Sequence, residues 1–167
     1  MFLLSIYQFL LAVLFHFAYD VFPNPLFAIL FPFNESVFQH LKLFTYPILV
    51  TYFVYKNKRI SLSQTTLTIY ISQFLTLSIF YILKCGFSFE STFFDILLTF
   101  LSLYIANIIS YYFFHNISIN YYLCLILICL NIFILGIYTI YPLNYPIFAL
   151  LFHFYHNHNF IISFLSF

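Results

Sequence analysis

Long apolar runs separated by short polar clusters make up most of the chain. A helix needs about 20 apolar residues to cross the ~30 Å hydrocarbon core of a bilayer. Five runs approach that length: residues 2–19, 34–55, 65–83, 92–114 and 121–141. Pro23 and Pro25 close the first. Pro47 lies inside the second, where it removes a backbone donor and predicts a kink. The tail, 147–167, is apolar at both ends but carries His153, His156, Asn157, His158 and Asn159 between them. Such a stretch suits a sixth helix facing protein, a re-entrant piece or an interfacial segment, because polar groups facing lipid are expensive. The pattern predicts an all-α fold. It is a single transmembrane domain over residues 1–167, built from about five membrane helices.

Composition supports the same reading. Of 167 residues, 65% are hydrophobic and 5% are charged. A soluble domain carries roughly 25% charged residues; with so few, a water-exposed surface could not be covered. The expected partner is the lipid bilayer. A net charge of +1 provides no basic patch, so nucleic acid is not an expected partner. The first apolar run lacks a basic leader and a small-residue cleavage site, and it reads as a retained helix. Cys85, Cys124 and Cys129 lack metal-ligand or redox spacing, so free, buried thiols are expected.

Lys56, Lys58 and Arg59 cluster between the second and third runs. The excess of cations places that loop on the cytoplasmic side and the N-terminus with it. All four acids, Asp20, Glu35, Glu90 and Asp95, then fall at the outer side, together with Lys42, Lys84, His16 and His40.

This outer collection is where chemistry is expected. His16 and Asp20 are four apart and share a helix face. Asp20 falls in the last turn, where a carboxylate opposes the macrodipole and needs a partner. Asn34, Glu35 and Ser36 open the second helix, with Asn34 as a good N-cap and Glu35 at the positive end of the dipole. Glu35 and His40 lie about 140° apart around that helix, so a shared ion would need a ligand from the first helix. Lys42 should snorkel outward or pair with Glu35 or Asp20. The candidate cluster is therefore His16, Asp20, Glu35, His40 and Lys42. Of these, His16, Asp20, Glu35 and His40 are candidate ligands for a divalent metal such as zinc. Thr92 and Asp95 have the spacing of a capping box. Asn107 and Asn131 are expected to bond between helices. The tail histidines have no acid beside them and make a weak metal site. HExxH, GxSxG and glycine-rich phosphate motifs are missing from the sequence, which contains only 2 glycines. The usual anchors of metalloprotease, lipase and ATPase chemistry go with them.

The stretch from Pro32 to Lys42, Pro-Phe-Asn-Glu-Ser-Val-Phe-Gln-His-Leu-Lys, resembles the signature of an uncharacterised family of small bacterial multi-pass membrane proteins. That signature reads approximately Pro-Val-Asn-Glu-Ser-Val-Trp-Glu-His-Leu-Lys. His16-Phe-Ala-Tyr-Asp20 is similar to an upstream His-Phe-x-Tyr-Glu of the family, and Pro146-Ile-Phe148 to a downstream Pro-Leu-Phe. Phe38 stands in place of the Trp and Gln39 in place of the Glu, which removes a potential acid. After Phe148 the family continues with Asp-Pro, which this chain lacks. The resemblance implies a bacterial cytoplasmic membrane and a polar site of unassigned activity. Asn34-Glu35-Ser36 and His40-Leu41 also faintly resemble the progestin and adipoQ receptor group of intramembrane zinc proteins. The spacing differs, and the chain is too short for their seven helices.

Three functions fit these residues. One is an intramembrane metal-dependent hydrolase acting on a lipid-like substrate, with a metal-activated water. Another is a small proton- or cation-coupled transporter, although the sequence has no charged inverted repeat. The third is a structural membrane subunit whose outer cluster is a salt-bridge network.

Overall fold

Four of the five long apolar runs each form one long helix, and the run at 34–55 forms two shorter ones. The computed structural model describes residues 1–34, 36–55, 60–89, 91–114 and 120–140. Helix α1 spans Phe2–Val21 and α5 spans Leu62–Tyr81, continuing as a π-helix over Ile82–Gly86. Helix α6 spans Thr92–Phe114 and α7 spans Tyr121–Ile140. Three shorter helices lie between α1 and α5: α2 (Pro25–Leu30), α3 (Val37–His40) and α4 (Lys42–Tyr55). Four helical stretches, Phe2–Val21, Leu62–Gly86, Thr92–Tyr112 and Tyr121–Ile140, are long and apolar enough to cross a membrane.

Three helix starts differ from the sequence reading, among them that of α5, at Leu62 rather than at residue 65. After Pro23 the chain forms the short helix α2, which the apolar runs do not predict. Asn24 Oδ1 accepts from Phe27 N, and Pro25 sits at the first helical position, where its missing N–H removes no intrahelical bond. Helix α3 starts at Val37 rather than near Asn34. Ser36 is its cap, accepting from Gln39 N at 3.3 Å, while Asn34 Oδ1 accepts from Ser36 N in a turn just before it. The expected second helix is interrupted at Leu41, six residues before Pro47. There Phe44 N bonds back to Leu41 O at 3.1 Å, a tightened turn. Pro47 itself is buried inside α4.

Helix α5 begins with a reciprocal cap. Ser61 Oγ accepts from Gln64 N at 3.1 Å, and Gln64 Oε1 accepts from Ser61 N at 3.2 Å. The capping reading for Thr92 and Asp95 does not hold. Helix α6 already includes Thr92, and Asp95 N bonds to Ser91 O.

Helix α5 packs against α4, α6 and α7, and α1 packs against α4 and α6. The distribution of polarity is the reverse of a water-soluble bundle. Gln73, Asn131, Asn107 and Ser72 are buried, while Leu14, Phe74, Phe93 and Phe133 are exposed. Hydroxyls of α5 fold back onto its own carbonyls: Thr66 to Leu62, Thr68 to Gln64 and Ser72 to Thr68. This satisfies polar groups without water.

Two side-chain networks hold the helices together. Asn131 Nδ2 donates to Gln73 Oε1 at 2.8 Å, Gln73 Nε2 donates to Thr45 Oγ1 at 2.8 Å, and Thr45 Oγ1 donates to Asn131 Oδ1 at 2.8 Å. This ring ties α4, α5 and α7. Asn107 Nδ2 donates to Ser5 Oγ at 2.9 Å and to Gln8 Oε1 at 2.7 Å, tying α6 to α1. Both asparagines thus bond between helices as the sequence predicts. All three cysteines are free, but only Cys124 is buried; Cys129 is exposed and Cys85 half-buried.

Candidate functional site

The end of the bundle where α1 finishes and α6 begins contains a cavity of about 650 Å³. Pockets of this size accommodate small organic ligands. Helix α1 contributes Phe9, Ala12, Val13, His16 and Phe17 to its wall. Val37, His40 and Leu43 come from α3 and α4, and Thr76 and Phe80 from α5. The π-helix adds Leu83 and Lys84, and the first turns of α6 add Asp95, Leu98 and Thr99.

Two of the sequence candidates meet at this wall. The rings of His16 and His40 lie 5.1 Å apart, centroid to centroid, tilted by 37°. Both residues are half-buried. His40 Nδ1 is 2.9 Å from Ser36 O. A carbonyl only accepts, so Nδ1 carries the proton and a neutral ring turns Nε2 into its acceptor. The first helix thus places His16 beside His40.

The other candidates are dispersed. Asp20 is exposed at the end of α1 and does not line the cavity. Glu35, Glu90, Lys56, Lys58, Arg59 and the tail residues with His153, His156 and His158 lie outside the described residues. Among the described residues, no three His, Cys, Asp or Glu side chains come together as a metal-binding group.

Lys42 is 1% exposed and does not snorkel. Its ammonium donates to Ala28 O at 2.6 Å, to Phe31 O at 3.2 Å and to Gln39 Oε1 at 2.5 Å, which uses all three donors. The Phe33 ring lies 5.7 Å away, close enough for a cation–π contact. Ala28 and Phe31 lie at the C-terminal end of α2, the negative end of its dipole. Gln39, which stands where the resembling signature has an acid, supplies a neutral acceptor to Lys42 and donates from Nε2 to Tyr138 O at 3.2 Å. A carboxylate could not make that second bond. Lys42 and Gln39 thus join α2, α3 and α7, outside the cavity lining.

A family model spans residues 2–157 of this chain. The chain belongs to DUF6512, a family of unknown function. No curated protein and no solved structure matches it. The DUF6512 match covers the cavity-forming helices as well as both polar networks, so the site described here lies wholly inside the family region.

Thr76 is a cavity residue that motif reading passes over, and Lys84 is one that it places at the outer side without assigning it to the candidate cluster. Thr76 sits in a run of similar threonines and serines, and its place at the cavity follows only from the packing of α5. Lys84 is turned to the wall by the π-helix, which has no signature in the sequence.

Proposed function

We propose that this protein is an integral membrane protein that takes a single-chain amphiphile from the bilayer into the cavity beside His16 and His40. The observation that carries this reading is the cavity itself. It joins apolar walls, Phe9, Val13 and Phe17, to the imidazole pair and to charged groups at its other end, Lys84 and Asp95. Polar groups inside and apolar groups outside, on helices of membrane-spanning length, support a bilayer as the surrounding medium. The proposed orientation puts 56–59 on the cytoplasmic side and the cavity end on the outer side of a bacterial cytoplasmic membrane. His40, with Nδ1 bonded to Ser36 O, and His16 beside it would act as the acid–base pair for a guest.

The test is native mass spectrometry of protein purified from membranes in mild detergent. Wild type should retain a bound amphiphile. Val13→Trp, which fills the cavity from a partly exposed wall position, should not.

A second reading rests on the imidazole spacing. Two rings bound to one tetrahedral ion through nitrogens at about 2.0–2.1 Å place their centroids roughly 5 Å apart, close to the 5.1 Å seen here. A backbone carbonyl on the distal nitrogen, as Ser36 O provides for His40, is the usual support of a metal-bound histidine. In this reading His16 and His40 would hold a divalent ion such as zinc, and the ion would supply an activated water to cleave an ester or amide bond of a lipid-like guest. Metal analysis of the purified protein decides it. Near-stoichiometric metal that is lost in folded His16→Ala supports a metalloenzyme; metal-free wild type excludes it.

A further inference from the structure

The proposed guest enters a cavity that holds one unusual hydroxyl. Thr76 lies on the cavity wall, is 8% exposed, and its Oγ1 is buried with no hydrogen-bond partner. Four other buried hydroxyls of the same helix show what is missing. Thr65, Thr66, Thr68 and Ser72 each return their hydroxyl to the carbonyl one turn back. Thr76 has the same opportunity at Ser72 O and does not take it. An unpaired buried hydroxyl is destabilising; of the three such hydroxyls among the described residues, on Thr76, Ser102 and Ser110, that of Thr76 belongs to a residue of the cavity wall.

Its height in the bundle is set by Gln73. That side chain donates to Leu41 O at 3.2 Å and to Thr45 Oγ1 at 2.8 Å, which fixes α5 against the α3–α4 run. One turn further along α5 brings Thr76 to the level of His40, and His40 is paired with His16. Below this level α1 presents Ala12 and Phe9, the latter about 10 Å down the helix from His16. Above it stand Lys84 and Asp95. The cavity is thus apolar at its base, hydrogen-bonding at mid-height and charged at its lip.

We infer that Thr76 is the specificity-determining residue of the cavity, bonding an oxygen, hydroxyl or carbonyl, on a single-chain amphiphile whose apolar tail fills the base. This rests on the amphiphile reading above and goes further, because it assigns where the guest's oxygen sits and which residue reads it. Thr76 Oγ1 is closed off from the cavity, so the side chain turns about its Cα–Cβ bond to donate Oγ1–H to that oxygen, and the imidazoles lie at the same height to complete its shell.

The experiment compares two probes of equal chain length, oleyl alcohol and 1-octadecene, binding to the full chain in detergent. Wild type should favour the alcohol. Thr76→Val, which preserves shape and removes the hydroxyl, should weaken the alcohol by about fivefold, the effect of one lost hydrogen bond, and leave the hydrocarbon unchanged. Thr76→Ser should restore the alcohol. Equal alcohol affinity in wild type and folded Thr76→Val, as for a hydroxyl that holds only a water, overturns the inference and leaves the amphiphile reading standing. Should Thr76→Val not fold, the wild-type preference decides: no preference for alcohol over hydrocarbon overturns the inference. Binding of neither probe by wild type overturns both readings.

Discussion

Lys42 Nζ reaches back fourteen residues to donate to Ala28 O at 2.6 Å, so a buried ammonium closes the end of helix α2. The bond explains how a six-residue helix, too short to be stable alone, is held against the bundle. Lys42→Met should destabilise the protein by about 2–3 kcal/mol, because two carbonyls and the Gln39 amide oxygen lose their donor. The apolar replacement keeps most of the packing volume. Thermal unfolding in detergent should show the drop, and an unchanged melting temperature would show that Lys42 is not a structural cap. Retention of amphiphile by the folded fraction should persist, since Lys42 does not line the cavity.

Gln73 and Asn131 should behave as one unit. Their reciprocal amide bonds, with Thr45 as third member, mean that removing either strands the other. Gln73→Leu and Asn131→Leu should each destabilise by about 1–2 kcal/mol. The double variant should be less unstable than the sum, with a coupling of roughly 0.5–1.5 kcal/mol. A double-mutant cycle in mixed micelles measures this directly, and additive effects would contradict the ring.

Most helix positions were legible in the sequence because lipid-length apolar runs report themselves. Residues 92–114 match α6 end to end, and the run at 121–141 ends one residue past α7. What was hidden is informative. The Ser61–Gln64 cap lies outside the apolar run, and Asn24–Pro25 reads equally as a stop or a start. The break at Leu41 depends on tertiary hydrogen bonds, with Gln73 bonding its carbonyl. In the site, the sequence groups His16 and His40 in one candidate cluster with Asp20, Glu35 and Lys42 but does not show which of them touch. The contact between them follows from the packing of α1 against α4, just ahead of which His40 lies, and no spacing along one helix encodes it. Lys42 stands out in the sequence because it belongs to a run of polar residues at a helix start; the structure buries it and gives it Ala28 O, Phe31 O and Gln39 Oε1 as partners.

Separating the histidines from the architecture should be straightforward. His16→Ala and His40→Ala leave both polar networks intact, so each should cost about 1 kcal/mol or less of stability. Each should weaken oleyl alcohol binding, and the double variant should bind no more weakly than the worse single one, as expected for residues acting as a pair. Independent, additive losses measured by the same binding assay would show that the two rings act separately.

The central claim, that the cavity receives a membrane amphiphile, is tested most directly by photocrosslinking. Membranes containing the protein would be illuminated with a diazirine-bearing fatty alcohol, and the adducts mapped by peptide mass spectrometry. The account predicts adducts concentrated at the cavity walls, 9–17 of α1 and 76–84 of α5 and the π-helix, and suppressed by Val13→Trp. Adducts spread over the exposed apolar faces, at the same level in wild type and Val13→Trp, would contradict it.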